Sequence, residues 1–244
     1  LVGVATDPEA RNAIMYLYFK APATPKEAKN LGYLRTDMVN ELISSMISSR
    51  LNELVQKPNP PFVFGASGYF NLVRTKDALA FYAALRPDNM IDGVKGLIRE
   101  SERVKRFGFN ATELDRAKSD YLRSLENQLK EKDKQKNEKY VWECVDHFLK
   151  GEPMPGIEFE YMFASQLLPT IKIEEINAVA KQLVTDKNVI LTLMAPQKDG
   201  ITVPNQEQLL AALKEVKAEN IEAYVDKVIT KPLVEKIEKP GKVK

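Results

Sequence analysis

Two spacings of apolar residues alternate along the chain. Asn12 to Lys20 (NAIMYLYFK) is an almost unbroken apolar and aromatic run that stops at Ala21-Pro22. A short run of this kind, closed by a proline, predicts a strand buried on both faces, and therefore a central one. From Leu34 to Gln56 the spacing changes: Leu34, Met38, Leu42, Met46, Ile47, Leu51, Leu54 and Val55 recur mostly every three or four residues, and Pro58, Pro60 and Pro61 end the series. That stripe predicts an amphipathic helix lying on the sheet, stopped where proline removes the amide donor and clashes with the preceding turn.

Phe62 to Leu72 and Ala78 to Leu85 read as two more strands, and the polar Arg74-Thr-Lys-Asp77 between them suits a hairpin. Gly65 and Gly68 inside the first predict a bulge or a close approach of another backbone. Pro87-Asp-Asn89 opens a helix with Val94, Leu97, Ile98, Ser101, Val104 and Lys105 on one stripe, and Gly108 stands where a C′ residue belongs. Asn110-Ala-Thr-Glu113 is a capping box, starting a helix whose buried stripe is Leu114, Ala117, Tyr121, Leu125 and Leu129. Lys130 to Lys139 (KEKDKQKNEK) is then almost free of apolar residues, before Tyr140-Val-Trp142 resumes the pattern through Phe148 and Leu149. Either one long helix with a solvated middle or two helices and a loop would give this pattern. A helix over Glu174–Val184 and a strand over Asn188–Met194 follow.

This order predicts an α+β fold with a mixed, mainly antiparallel sheet covered on one side by helices. Residues 1–196 form that domain in this reading. Residues 197–244, with a capping box at Asn205-Gln-Glu-Gln208 and then Lys231-Pro232 and Lys239-Pro-Gly241, read as a helical connector toward a next domain.

Charge removes one class of partner: 36 Lys and Arg against 34 Asp and Glu leave a net +2 with the signs interspersed, which argues against nucleic acid. No apolar run reaches 18 residues, so no membrane span is expected. The chain starts at Leu1 rather than Met, which suggests an excised piece, and Leu-Val-Gly-Val lacks the charged segment of a signal peptide. The single cysteine excludes an internal disulfide and leaves the compartment open.

Candidate chemistry is sparse. Cys144 and His147, each the only residue of its type, fall in Glu143-Cys-Val-Asp-His147. On a helix Glu143, Cys144 and His147 could share a face, the spacing of a small metal site. The competing reading, favoured by the lack of a second histidine, is a helix packing Val141, Cys144, Val145 and Phe148 inward, with cysteine acting as a small hydrophobe. Arg50, at the end of the first long helix, could reach a substrate carboxylate or a neighbouring domain, or simply complement the helix dipole. Gly65, Ser67 and Gly68 could line a peptide-binding edge, or mark a bulge. Glu100 with Glu102, and Glu174 with Glu175, are too close in sequence to face each other on a helix as catalytic pairs.

Three stretches carry a family resemblance. Met46-Ile-Ser-Ser-Arg-Leu-Asn-Glu-Leu54, Gly108-Phe-Asn-Ala-Thr-Glu-Leu-Asp-Arg-Ala-Lys118, and Thr170-Ile-Lys-Ile-Glu-Glu-Ile-Asn177 followed by Asn188-Val-Ile-Leu-Thr-Leu193 resemble, in order and spacing, features of the insulinase/pitrilysin-like zinc metallopeptidases, the inverted zincins. The match is specifically to the second of their four homologous α+β domains. Gln56-Lys-Pro-Asn-Pro-Pro-Phe62 departs from the basic-acidic-Lys-x-Gly-Leu-x-Tyr segment of many members and resembles the variant in large bacterial envelope members. The tail from Pro232 to Val243 resembles the start of the connection between the two halves of long members.

The resemblance implies a non-catalytic domain of a zinc endopeptidase, forming part of a peptide-enclosing chamber. Its partners would be other domains of the same polypeptide and, through the parent, a peptide substrate, with the periplasm or cell envelope as the suggested location. Zinc would be held in the parent's first domain by His-x-x-Glu-His and a downstream Glu; one histidine cannot supply that signature, so no catalytic, cofactor or metal residue is expected in this segment. The alternative is a catalytically inactive scaffold or partner subunit of the same fold. A coiled-coil module over Glu113–Leu149 is a weaker reading, because the polar middle breaks the heptad.

Overall fold

The computed structural model describes residues 1–227. The tail from Lys231 onward, with its resemblance to an inter-half connection, lies outside the described residues. Five strands form one sheet in the order β1 (Val2–Asp7), β5 (Val189–Pro196), β2 (Ala13–Pro22), β4 (Lys76–Leu85), β3 (Phe62–Val73). β2 is central, as its apolar run predicts, pairing antiparallel with β4 from Ala13↔Leu85 to Pro22↔Lys76 and with β5 from Ile14↔Met194 to Phe19↔Val189. β1 joins β5 in parallel, which makes the sheet mixed, and the β3–β4 hairpin supplies the opposite edge.

The helices cover one face. α1 (Leu31–Val55), capped by the Asn30 side chain accepting from the Gly32 and Tyr33 amides, buries Met38, Leu42, Met46, Ile47 and Leu51 on the sheet. α2 (Met90–Phe107) is capped by Asn89, and α3 (Ala111–Lys130) starts at the expected capping box. Between them Gly108 takes φ +68°, and a Cβ there would lie 2.4 Å from Asn177 Oδ1, so glycine is required. Asn177, on α6 (Ile173–Leu183), closes this corner by accepting from the Phe109 amide at 2.7 Å and donating to its carbonyl at 3.1 Å.

Several expectations need correction. β2 is closed on one face only: Ala13, Met15, Leu17 and Phe19 are buried under the helices, whereas Ile14, Tyr16, Tyr18 and Lys20 are half-exposed on the other. Its run looked doubly buried because the open face carries aromatics instead of polar residues. The charged stretch 130–139 resolves into two helices: α3 ends at Lys130, a short 3₁₀ turn spans Lys132–Lys134, and α4 (Asn137–Lys150) begins afresh. β1 and α5 (Ile157–Leu167) were not expected from the sequence. The β3 irregularities fall at its ends, between Phe62 and Phe64 and between Asn71 and Val73, not at Gly65 or Gly68.

α7 (Gln206–Ala218) lies against α2 and β1, burying Leu209, Ala212 and Val216, and Ile221 just beyond it is buried too. Asp186 bridges Lys105 on α2 and Lys217 on α7 at 2.6 and 2.7 Å.

Candidate functional site

Arg50 is the most heavily engaged of the residues singled out in the sequence. The last turns of α1 carry it under the α2–α3 corner, where it is 2% exposed. Its Nε and one terminal nitrogen donate to the two Glu113 oxygens at 2.7 and 2.8 Å, its other terminal nitrogen donates to Glu100 at 3.3 Å, and the Gly108 carbonyl accepts at 2.9 Å. The guanidinium is flanked by the rings of Phe109 and Tyr224, 4.7 and 4.3 Å from their centroids. Burial works against its charge, but the hydrogen bonds and charges of Glu113 and Glu100 outweigh that, and its pKa is raised. Arg103 takes the second oxygen of Glu100, so two buried carboxylates answer two guanidinium groups.

Two of the stretches that carry the family resemblance therefore meet here in space. Arg50 comes from the Ser-Arg-Leu stretch, and Gly108 and Glu113 from the capping-box stretch. Glu113 does two tasks: one oxygen also accepts from the Asn110 amide at 2.8 Å, closing the capping box. The arginine's hydrogen bonds are thus spent inside the domain.

Gly65 and Ser67 also face inward. A Cβ on Gly65 would lie 2.6 Å from the Phe62 ring and 3.2 Å from Leu51 Cβ, so the glycine makes room for these two side chains between β3 and α1. The Ser67 amide donates to Ser48 Oγ at 3.0 Å, and Ser48 Oγ donates back to the Ser67 carbonyl at 3.3 Å. Both main-chain groups in the middle of this edge strand are engaged by α1. Gly68, opposite Ala80, lies on the other side of the sheet.

That other side is the unusual surface of the domain. The registers place Ile14, Tyr16, Tyr18 and Lys20 of β2 beside Ala84, Tyr82, Ala80 and Ala78 of β4, which in turn neighbour Phe64, Ala66, Gly68 and Phe70 of β3. On the β5 side the same rows continue with Met194, Thr192 and Ile190. Five aromatic rings form a continuous chain: Phe64 to Tyr82 at 6.0 Å, Tyr82 stacked on Tyr16 at 5.5 Å, Tyr16 stacked on Tyr18 at 5.3 Å, and Tyr18 edge-on to Phe70 at 6.3 Å. Phe64 and Met194 are 49% and 51% exposed, and Lys20 is the one charged residue in these rows. An antiparallel sheet facing water ordinarily alternates apolar inside with polar outside. Here both faces are apolar, and the described residues leave this one open.

Glu143, Cys144 and His147 do not assemble into a metal centre. Cys144 is exposed, His147 Nδ1 donates to the Glu152 carbonyl at 2.7 Å, and Glu143 faces Lys139 at 3.9 Å. Among the described residues no group of three or more His, Cys, Asp or Glu side chains is placed to hold a metal ion. Zinc therefore does not fit the side chains of the described residues. Inward packing of this helix is corrected as well: α4 buries no residue, and Val141, Cys144 and Phe148, the last 80% exposed, all face out. The helix stands away from the sheet, tied at its ends by Tyr140 Oη donating to the Lys132 carbonyl and Lys26 Nζ donating to the Phe148 carbonyl.

No family model matches the chain. A zinc protease PQQL-like protein of Arabidopsis thaliana is 20% identical over 236 residues, which cover 96% of this chain and 21% of that protein. The periplasmic protease PqqL from Escherichia coli has a similar structure, with a TM-score of 0.79 at 20% identity over 96% of this chain and 26% of that one. A peptidase M16 inactive domain from Pseudomonas fluorescens gives a TM-score of 0.57 at 13% identity, over 84% of this chain and 45% of the other. The chain thus spans about a fifth of the curated relative it matches and about a quarter of the Escherichia coli protease. With its three ordered sequence stretches and a sequence match along nearly its whole length, the chain resembles the insulinase/pitrilysin-like zinc peptidases, and it shares the fold of their solved domains.

Proposed function

We propose that the chain is a non-catalytic domain of a zinc endopeptidase, the second of four homologous units, and that it contributes part of the wall of a peptide-enclosing chamber. The observation that carries this reading is the aromatic sheet face, which the described residues of this chain leave uncovered. Covering such a face contributes about 25 cal/mol per Å² of apolar surface removed from water, against the cost of fixing two bodies together. A neighbouring domain on the same polypeptide meets that cost once, through the linkage. Gly68 belongs to this contact surface.

In this reading the chemistry lies outside the chain. Zinc, held elsewhere by the two histidines that this sequence cannot supply, would activate a water for attack on a peptide bond. What the chain's own residues do is build a rigid sheet and hold the α2–α3 corner through Arg50. Periplasmic placement is proposed from the likeness to the Escherichia coli protease. The scaffold alternative separates on one observation, whether the polypeptide that contains this chain also contains His-x-x-Glu-His. The direct test is peptide hydrolysis with added Zn²⁺: the parent protein is expected to cleave an unfolded peptide and this chain alone is not, so turnover by the chain alone would refute the reading.

A further inference from the structure

Beyond α7 the described chain ends in residues 219–227, which form no helix or strand and lie across one face of α2 and the start of α3. The side chains that hold them form a row. Arg99 donates from Nε and one terminal nitrogen to the two Glu219 carboxylate oxygens at 2.7 and 2.8 Å. Arg103, one turn on, donates to the Glu222 carbonyl at 3.0 Å, and Arg106 donates to the Glu219 and Lys217 carbonyls at 2.8 Å each. At the α3 end Asn110 donates to the Tyr224 carbonyl at 3.2 Å, while Thr112 and Arg116 grip the Asp226 carboxylate, Arg116 at 2.8 and 3.1 Å. Tyr224 lays its ring on Arg50 and donates its hydroxyl to Glu53 at 2.7 Å.

The spacing of Arg99, Arg103 and Arg106 puts all three on one helical stripe. Bidentate guanidinium–carboxylate pairs, further guanidinium–carbonyl bonds and an aromatic ring over a cation are the elements with which a surface recognises an extended acidic peptide. The segment answers with Glu219 and Asp226 and a single buried aliphatic anchor, Ile221. Its attachment is therefore mainly electrostatic and lies near the surface, whereas the sheet and helices are joined by an apolar core. Two attachments of such different character need not fail together.

We infer that the arginine row of α2 and α3 is a docking groove for an extended acidic peptide, that residues 219–227 are its occupant, and that this strap opens locally while the domain stays folded. The inference does not depend on the peptidase reading, because it concerns only groups within this chain.

The test is limited chymotrypsin cleavage after Tyr224 in the full chain, with the unfolding transition followed in parallel by circular dichroism. Arg116→Glu and Asp226→Arg, each alone, are expected to speed cleavage about tenfold, as is a rise to about 0.5 M salt, with the unfolding midpoint nearly unchanged. The double variant Arg116→Glu/Asp226→Arg is expected to regain most of the wild-type resistance. The heteronuclear NOE of residues 220–226 gives a second readout, expected to fall in the single variants only. Cleavage insensitive to both variants and salt would overturn the inference. Cleavage that rises only in step with global unfolding would overturn it equally, because the segment would then be part of the cooperative core.

Discussion

Arg50 and Glu113, 63 residues apart in sequence, meet in the interior through two parallel hydrogen bonds of 2.7 and 2.8 Å. Removing either partner leaves a buried charge without its counterpart, which costs far more than the pair itself contributes. Glu113→Ala, which also opens the α3 capping box, is expected to lower the unfolding free energy by about 3–5 kcal/mol in urea, and Arg50→Ala by a similar amount. Arg50→Lys is expected to recover only part of this, since an ammonium cannot span both oxygens and reach Glu100 and the Gly108 carbonyl. A loss below about 1 kcal/mol for Glu113→Ala would contradict the bracing role.

The glycines offer a sharper comparison. Gly65→Ala would force a methyl against the Phe62 ring and α1, whereas a Cβ on Gly68 meets nothing closer than 3.7 Å, at the Phe70 ring. Thermal denaturation is expected to show about 1–3 kcal/mol lost for Gly65→Ala and less than about 0.5 for Gly68→Ala. Gly108→Ala, at φ +68° and against Asn177, belongs with the costly group.

Acid should loosen the junction between α2 and α7. Hydrogen bonds from Lys105 and Lys217 pull Asp186 down from 3.8 to about 2. A folded-state pKa below the unfolded value means the stabilisation is complete above about pH 4 and disappears as pH falls through 2. The carboxylate is more than half exposed, so the effect is small and screened by salt. The melting temperature of the wild type is expected to fall slightly faster than that of Asp186→Asn between pH 4 and 2, and identical slopes would rule the bridge out as a contributor.

Cys144, exposed on α4, is expected to react with a thiol reagent in the native protein as fast as in urea. Marked protection would show that α4 packs against something.

How much of this was readable in advance differs by element. The central strand, the first long helix, the hairpin and the capping box announced themselves through local spacing, and they fix the sheet around β2. β1 did not, because only Val2 and Val4 of its six residues face packing partners and its pairing strand lies almost at the other end of the domain. α5 hid because its apolar residues, interrupted by Glu158 and Glu160, show no clear stripe. Arg50 looked like an ordinary helix-end cation, since its partners are 50, 58 and 63 residues away and nothing local signals them. The signal that could have found them was already in the sequence: the two stretches carrying the family resemblance contain the pair. The open aromatic face was hidden by the same run that revealed the strand, because Ile14, Tyr16 and Tyr18 are apolar or aromatic like Ala13, Met15, Leu17 and Phe19, and only the fold tells inside from outside.

The claim that matters most is that the aromatic sheet face is a contact with another domain of the same polypeptide. Hydroxyl-radical footprinting of Tyr16, Tyr18 and Tyr82, in this chain alone and in the parent protein, measures it directly. The three tyrosines are expected to be readily oxidised in the isolated chain and strongly shielded in the parent. Equal oxidation in both would show that the face stays open to water and would contradict the account.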